Sequence, residues 1–297
     1  MDIFALQRPQ LRINSHEVVT ITSERAYILP HPGLRDVISH YTVYFPLKHT
    51  SFSHQPDLLH IVPDASGCIV FCLSKRHLEI CLWGPFSQVT TVVSNPQGIS
   101  LFVMVEFLPC GAGRLLNRPL SSLHNEIMPL EEVDPRLAKR LADLLNTFCE
   151  KGLGNEIGSL LVKLDQIFLR LLERTENSAL ACTIINAVRR ADGTLRVAEI
   201  SVQTRYSQRH LNRMMSEKLG MSIKLLSRIM RVNAVCRHMA ASSGSLTEIA
   251  YKYGYHDQSH FIHDFSEICG ITPSLYHQRM SDFYYEELKL GAILPSK

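Results

Sequence analysis

The chain has 297 residues, 45% of them hydrophobic and 20% charged, with 31 Lys+Arg against 28 Asp+Glu for a net charge of +3. That is enough apolar material for a sizeable core and suggests two domains of a soluble globular protein. No uncharged apolar run approaches the roughly 20 residues that cross a bilayer, and the N-terminus lacks a basic stretch followed by an apolar one, so the expected location is the cytoplasm with no membrane partner. The eight cysteines are scattered and never form C-x-x-C, which argues against a disulfide framework.

Up to about Pro109 the chain reads as short strands: "EVVTI", "HYTVYFPL", "LLHIV", "CIVFCLS", "LEICLW", "VTTVV" and "ISLFVMVEFL". Each is rich in β-branched and aromatic residues and ends at Pro, Gly, Ser or Asn, the signature of a β-sandwich or barrel. The last is apolar on both faces and is expected to be central. Cys68 and Cys72 fall on one face of a strand and are expected to be packing residues. "CGAGRLL" after that last strand has Leu116 where a dinucleotide loop needs a small residue, so it is expected to be a simple turn.

From Arg136 the period changes to that of a helix. Leu137, Leu141, Leu144 and Phe148, then Ile157, Leu161, Leu164, Phe168 and Leu171, describe two amphipathic helices. Their stripes suit packing on the β domain or, alternatively, a homodimer interface. The expected divisions are a β-rich domain over 1–128, a helical hairpin over 129–176, an all-helical domain over 177–282 and a tail over 283–297, which together make an α+β, two-domain chain.

Charge is uneven along it. Between Leu180 and Met280 there are 13 Lys+Arg and 7 Asp+Glu, a net +6, leaving −3 for the remainder. A basic block of this kind points to a polyanion. The block also repeats itself: "VAEISVQTRYSQRHLNRMMSEKLGMSI" and "LTEIAYKYGYHDQSHFIHDFSEICGITP" share Glu-Ile, Tyr and Gly at corresponding places. Each copy reads as a short helix, a tight turn and a second helix opened by a capping residue, Ser207 or Asp257. An uninterrupted helical pattern, "SIKLLSRIMRVNAVCRHMAAS", joins them.

Helix, tight turn, helix is the geometry that lays a recognition helix in the DNA major groove. With Leu211, Met214, Met215 and Leu219 inward, the first copy presents Gln208, Arg209, Asn212 and Arg213. With Phe261, Phe265 and Ile268 inward, the second presents Gln258, Ser259, Ile262, His263 and Ser266, with Asp264 adding negative charge near the same face. Arg suits guanine edges and phosphates, and Asn or Gln suits adenine. A joining helix of about 20 residues spans about 30 Å, against about 34 Å between successive major grooves, so double-stranded DNA read in two adjacent grooves is the expected partner.

The second copy resembles the signature of AraC/XylS-type bacterial transcription regulators in its Ile-Ala pair, Gly-aromatic, Asp-Gln-Ser-His-Phe, internal Phe, Gly-x-Thr-Pro and aromatic-x-x-Arg. The resemblance covers about a third of the chain. It implies a double helix-turn-helix domain behind a β-rich, cupin-like sensory domain, a small effector, RNA polymerase as a partner of an activator, and neither catalysis nor a cofactor. It also answers the spacing of His256, His260 and His263, which could otherwise suggest a metal: a His after Gln-Ser is a family spelling and implies packing at the helix start. His263 stands where the family usually has Arg, and Met215 where it has Phe. Two alternatives remain open from the residues: a regulator controlled only by its own abundance, and a cupin-like metalloenzyme fused to a DNA-binding domain, which would need His40, His49, His54, His60 or His77 to converge with carboxylates.

Overall fold

In the computed structural model, which describes residues 16–21, 25–44, 57–74, 77–94, 99–109, 111–150, 157–174, 179–241, 244–279 and 283–284, the N-terminal half is built of strands. These are β1 (Val18–Ile21), β2 (Arg25–Ile28), β3 (Ile38–Tyr44), β4 (Asp57–Ile61), β5 (Cys68–Ser74), β6 (Leu78–Trp83), β7 (Thr90–Ser94), β8 (Ile99–Phe107) and β9 (Ile127–Pro129). Seven of them form one sheet in the order β1-β2-β3-β8-β5-β6-β9, while β4 and β7 pair in a second, three-stranded sheet. The doubly apolar β8 lies between β3 and β5, with Val103 and Val105 buried toward one core and Met104 toward another. Two strands have no counterpart in the sequence expectation, β2 and β9. β2 ("RAYI") has only two strand-favouring residues and β9 ("IMP") only three residues with a proline, too little for a strand pattern to register.

One face of the large sheet is covered by helices. Ile69, Phe71, Val103 and Val105 share a core cluster with the buried residues of α3 (Pro135–Glu150) and α4 (Ile157–Leu172), among them Leu137, Leu141, Phe148, Leu161, Leu164 and Phe168. The stripe of the hairpin is therefore packed against the sheet. Asp165 of α4, buried within this packing, accepts from the Tyr41 hydroxyl at 2.8 Å and from the His31 backbone N–H at 3.2 Å. The segment expected to be a simple turn is instead the helix α1 (Gly111–Leu116). It starts where the chain presses on β3: a Cβ at Gly111 would lie 2.0 Å from the Val37 carbonyl oxygen, so only glycine fits.

After the short α2 (Leu130–Val133) and the hairpin, the C-terminal half is helical: α5 (Ala179–Arg190), α6 (Val197–Thr204), α7 (Gln208–Leu219), α8 (Ile223–Ala241), α9 (Leu246–Lys252), α10 (Gln258–Cys269) and α11 (Pro273–Gln278). Their buried residues form a second core around Leu226, Ile229, Val232 and Val235 of α8, and this core takes in Val62 and Ala65 from the β domain. Three hydrogen bonds reinforce the join. The buried Asn233 amide donates to the Pro63 carbonyl at 2.6 Å. The Leu120 N–H donates to Glu217 O at 3.2 Å, and the Val89 N–H to Ile268 O at 3.0 Å. Finally β10 (Phe283–Tyr284) returns to pair in parallel with β4.

Candidate nucleic-acid interface

Each repeat folds as a helix-turn-helix, α6–α7 and α9–α10, and each second helix is fixed at both ends by its own sequence. Ser207 accepts from the His210 N–H at 3.2 Å and Asp257 from the His260 N–H at 2.7 Å, the side-chain caps that a helix start needs. That bond, with help from His256, holds the Asp257 carboxyl below its ordinary range. At the other end Gly220 and Gly270 take left-handed φ of 79° and 73° and stop the helices. Leu211, Met215 and Leu219 of α7, and Phe261, Phe265 and Ile268 of α10, are buried as their spacing requires, whereas Met214 is only half-buried.

On the outward side of α7, Gln208, Arg209 and Arg213 are exposed. Asn212 is half-buried, and its Oδ1 accepts from the Ile223 N–H at 3.2 Å, which caps the start of α8. On α10, Gln258, Ser259 and His263 are exposed. Thr247 donates to Gln258 at 3.0 Å, and His263 Nδ1 lies 4.0 Å from Glu267. Ile262 is half-buried and packs against the helical core. His260, expected to pack at the helix start, is exposed, with its ring edge-on to that of Tyr255 at 5.3 Å between centroids. Among the described residues no group of three or more His, Cys, Asp or Glu side chains could hold a metal ion.

Asp264 corrects the expectation that it adds charge near the outward face. It is 5% exposed, hydrogen-bonded by Arg228 Nε and by the Tyr255 hydroxyl at 3.1 Å. Arg228 also reaches Glu267 at 2.6 Å. Burial alone would lower the Arg228 pKa, but these two carboxylates more than offset it and raise it; the bond from Arg228 in turn holds Glu267 below its ordinary range. Asp264 thus locks α10 onto α8 from within. Burial and then the neighbouring Asp264 push the Tyr255 hydroxyl far above its ordinary pKa, so it remains a donor.

Two residues beside α7 escaped the sequence expectation. Tyr206 is 46% exposed and its ring stacks on His210, with centroids 4.8 Å apart and planes 17° from parallel. Arg205, in the turn between α6 and α7, has φ 59° and ψ 23°. The repeat itself held the signal for Arg205, since the corresponding residue of the second copy is Gly254.

Comparison with known proteins follows the same division of the chain. A helix-turn-helix domain family matches residues 200–279, and a domain of unknown function, DUF6597, matches residues 26–129. The HTH-type transcriptional activator AarP of Providencia stuartii is 30% identical over 96 residues, which are 32% of this chain and 70% of AarP. Among solved structures, the C-terminal domain of AraT, a response regulator from Geobacillus stearothermophilus, is 21% identical with a TM-score of 0.33, covering 34% of this chain and 85% of that one. ToxT from Vibrio cholerae is 17% identical with a TM-score of 0.39, covering 75% of this chain and 96% of that one. A relative shared over most of its length, together with two helix-turn-helix units joined through α8, makes this chain a member of the AraC-type family of DNA-binding transcription regulators.

Proposed function

We propose that the protein is a cytoplasmic transcription activator that reads a two-part operator, with α7 and α10 entering successive major grooves on one side of the duplex. The observation that supports this reading is that two helix-turn-helix units share one core around α8, with α7 leading into its start at Ile223 and α10 packed on it through Arg228. The 19 residues of α8 span about 28 Å at 1.5 Å per residue, close to the roughly 34 Å pitch of the groove. Gln208, Arg209, Asn212, Arg213, Gln258, Ser259, Ile262 and His263 are the proposed contacts, with Ile262 restricted to an apolar contact. Activation follows the name of the relative AarP and makes RNA polymerase the protein partner.

The β domain is the proposed receiver of a small effector. Its Val89 and Leu120 N–H groups bond the last turns of α10 and α7, so a shift in the β domain has a direct path to both readers. Regulation by abundance alone would instead leave DNA affinity the same with and without a candidate effector. The function is one of binding, and no catalytic role is assigned to the β domain: His40 is buried beside Ser39, and His60 bonds Thr91 at 2.9 Å. His49 and His54 lie outside the described residues.

Footprinting the full chain on an operator recovered from its own genome tests the docking. The expected result is two protected patches about one helical turn apart on one face. One patch a single groove wide would overturn two-reader docking.

A further inference from the structure

We propose that Arg205 is a third phosphate-gripping cation of the first helix-turn-helix unit, kept in a disfavoured backbone conformation for that purpose, so that this unit anchors the protein to the DNA backbone. The inference rests on the DNA-docking reading above and assigns a role within it.

The starting observation is a difference between two halves of one repeat. At the turn between α9 and α10 the chain needs a left-handed residue and has Gly254, φ 71°. At the corresponding turn between α6 and α7 it needs the same conformation and has Arg205, φ 59°. A Cβ is disfavoured there, and glycine would relieve it. Nothing in the fold repays the arginine: it is exposed, and among the described residues its guanidinium has neither a hydrogen-bond nor an ion-pair partner. An outlier that the fold does not use is where a functional demand is to be sought.

The charges nearby identify that demand. Arg228 is committed to Asp264 and Glu267, Arg237 to Asp192 at 2.9 Å, and Arg231 to the Gly193 carbonyl at 2.9 Å. Arg205, Arg209 and Arg213 instead stand exposed within nine residues of chain, without carboxylate partners among the described residues. The second unit has no Lys or Arg between Gly254 and His263, and Lys252 just before its turn bonds His238 at 3.0 Å. The aromatic at the turn differs in the same sense. Tyr255 is buried at 3%, while Tyr206 is half exposed and lies flat on His210 beside these cations. Unpaired guanidinium groups beside an exposed stacked ring match a sugar-phosphate strand, which carries regularly spaced negative charge and apolar sugar faces.

The test uses the full chain and a mixed-sequence duplex of about four helical turns, because phosphate contacts do not depend on the operator. Anisotropy across a salt titration is compared for the wild type, R205G, R205N and R209A, with thermal melting alongside. R205G is expected to melt higher than the wild type, since glycine relaxes the turn, yet to bind severalfold more weakly. Its plot of log K against log salt is expected to be shallower by about 0.9, the share of one phosphate. R205N, which tolerates the turn but carries no charge, is expected to bind like R205G. Wild-type affinity and slope in R205G, with R209A weakened, would overturn the role of Arg205 alone. Unchanged binding in both R205G and R209A would overturn it together with the docking of this face. A lower melting temperature in R205G would overturn the conclusion that the turn is held at a cost.

Discussion

Replacing Asp264 by alanine separates two incompatible pictures of α10. If the carboxylate lies near the DNA, as a charge on a recognition helix is first read, its removal costs the fold little and strengthens binding. The structure puts it inside, 5% exposed, between Arg228 and Tyr255. Removal then leaves the buried Tyr255 hydroxyl without an acceptor, at about 1–3 kcal/mol. It also breaks an ion pair whose cation is 22% exposed, and severing such a buried pair costs up to about 3–5 kcal/mol. Arg228 retains Glu267, so its charge is not stranded, and the sum is expected near 2–4 kcal/mol. The neighbouring Glu267→Ala, on a side chain 49% exposed, is expected to cost under about 1 kcal/mol. Urea denaturation gives the stabilities, and anisotropy on an operator duplex, at a temperature where both variants are folded, gives the binding. A cost under about 1 kcal/mol for Asp264→Ala, together with tighter binding at low salt, would refute the inward placement.

Arg213→Ala is expected to cost about 1–3 kcal/mol of DNA affinity, with relaxed preference at one base if the side chain reads a base edge and a uniform loss if it holds phosphate; a panel of single-base operator variants distinguishes the two. Asn233→Ala is expected to destabilise the full chain by about 1–3 kcal/mol because the Pro63 carbonyl loses its donor, and a denaturation midpoint equal to the wild type would mean that the two halves do not meet there in solution. Alkaline pH gives a further check. Burial, reinforced by Asp165 for Tyr41 and by Asp264 for Tyr255, raises both hydroxyls far above the ordinary tyrosine value in the folded chain. Both stay protonated when folded but ionise near pH 10 when unfolded, so their contribution is complete below about pH 10 and is lost above it, at up to about 1.4 kcal/mol per pH unit for each. Denaturation midpoints that stay level from about pH 9 to 11 would contradict this.

What the sequence disclosed and what it hid divide along physical lines. The inward stripes of α7 and α10 were legible because Leu211, Met215 and Leu219, like Phe261, Phe265 and Ile268, follow the helical period, and that period depends on local geometry alone. Asp264 was misread because its inward position depends on Arg228, 36 residues away on another helix, and no local rule anticipates that partner. The cap that Asn212 provides to the following helix was hidden for the same reason. The hairpin stripes of α3 and α4 were legible as stripes, but a stripe does not say what covers it, and the sheet does. Arg205 and Tyr206 could have been found by setting the two copies of the repeat side by side and asking where glycine was missing.

The pairing of Phe283 with His60 and Tyr284 with Ile61 bears on how the chain is made. Strand β4 emerges from the ribosome early, and its partner β10 emerges only after both DNA-reading units. Contacts so distant along the chain form slowly, because a long loop must close before they are rewarded. Throughout that interval the second sheet is only the β4–β7 pair, with one flank of β4 exposed as a row of unpaired backbone groups. Such a flank can accept the equivalent late strand of a neighbouring nascent chain as readily as its own. Newly made molecules at high local density therefore face a choice between closing on themselves and exchanging tails, and dilution during refolding should favour the former.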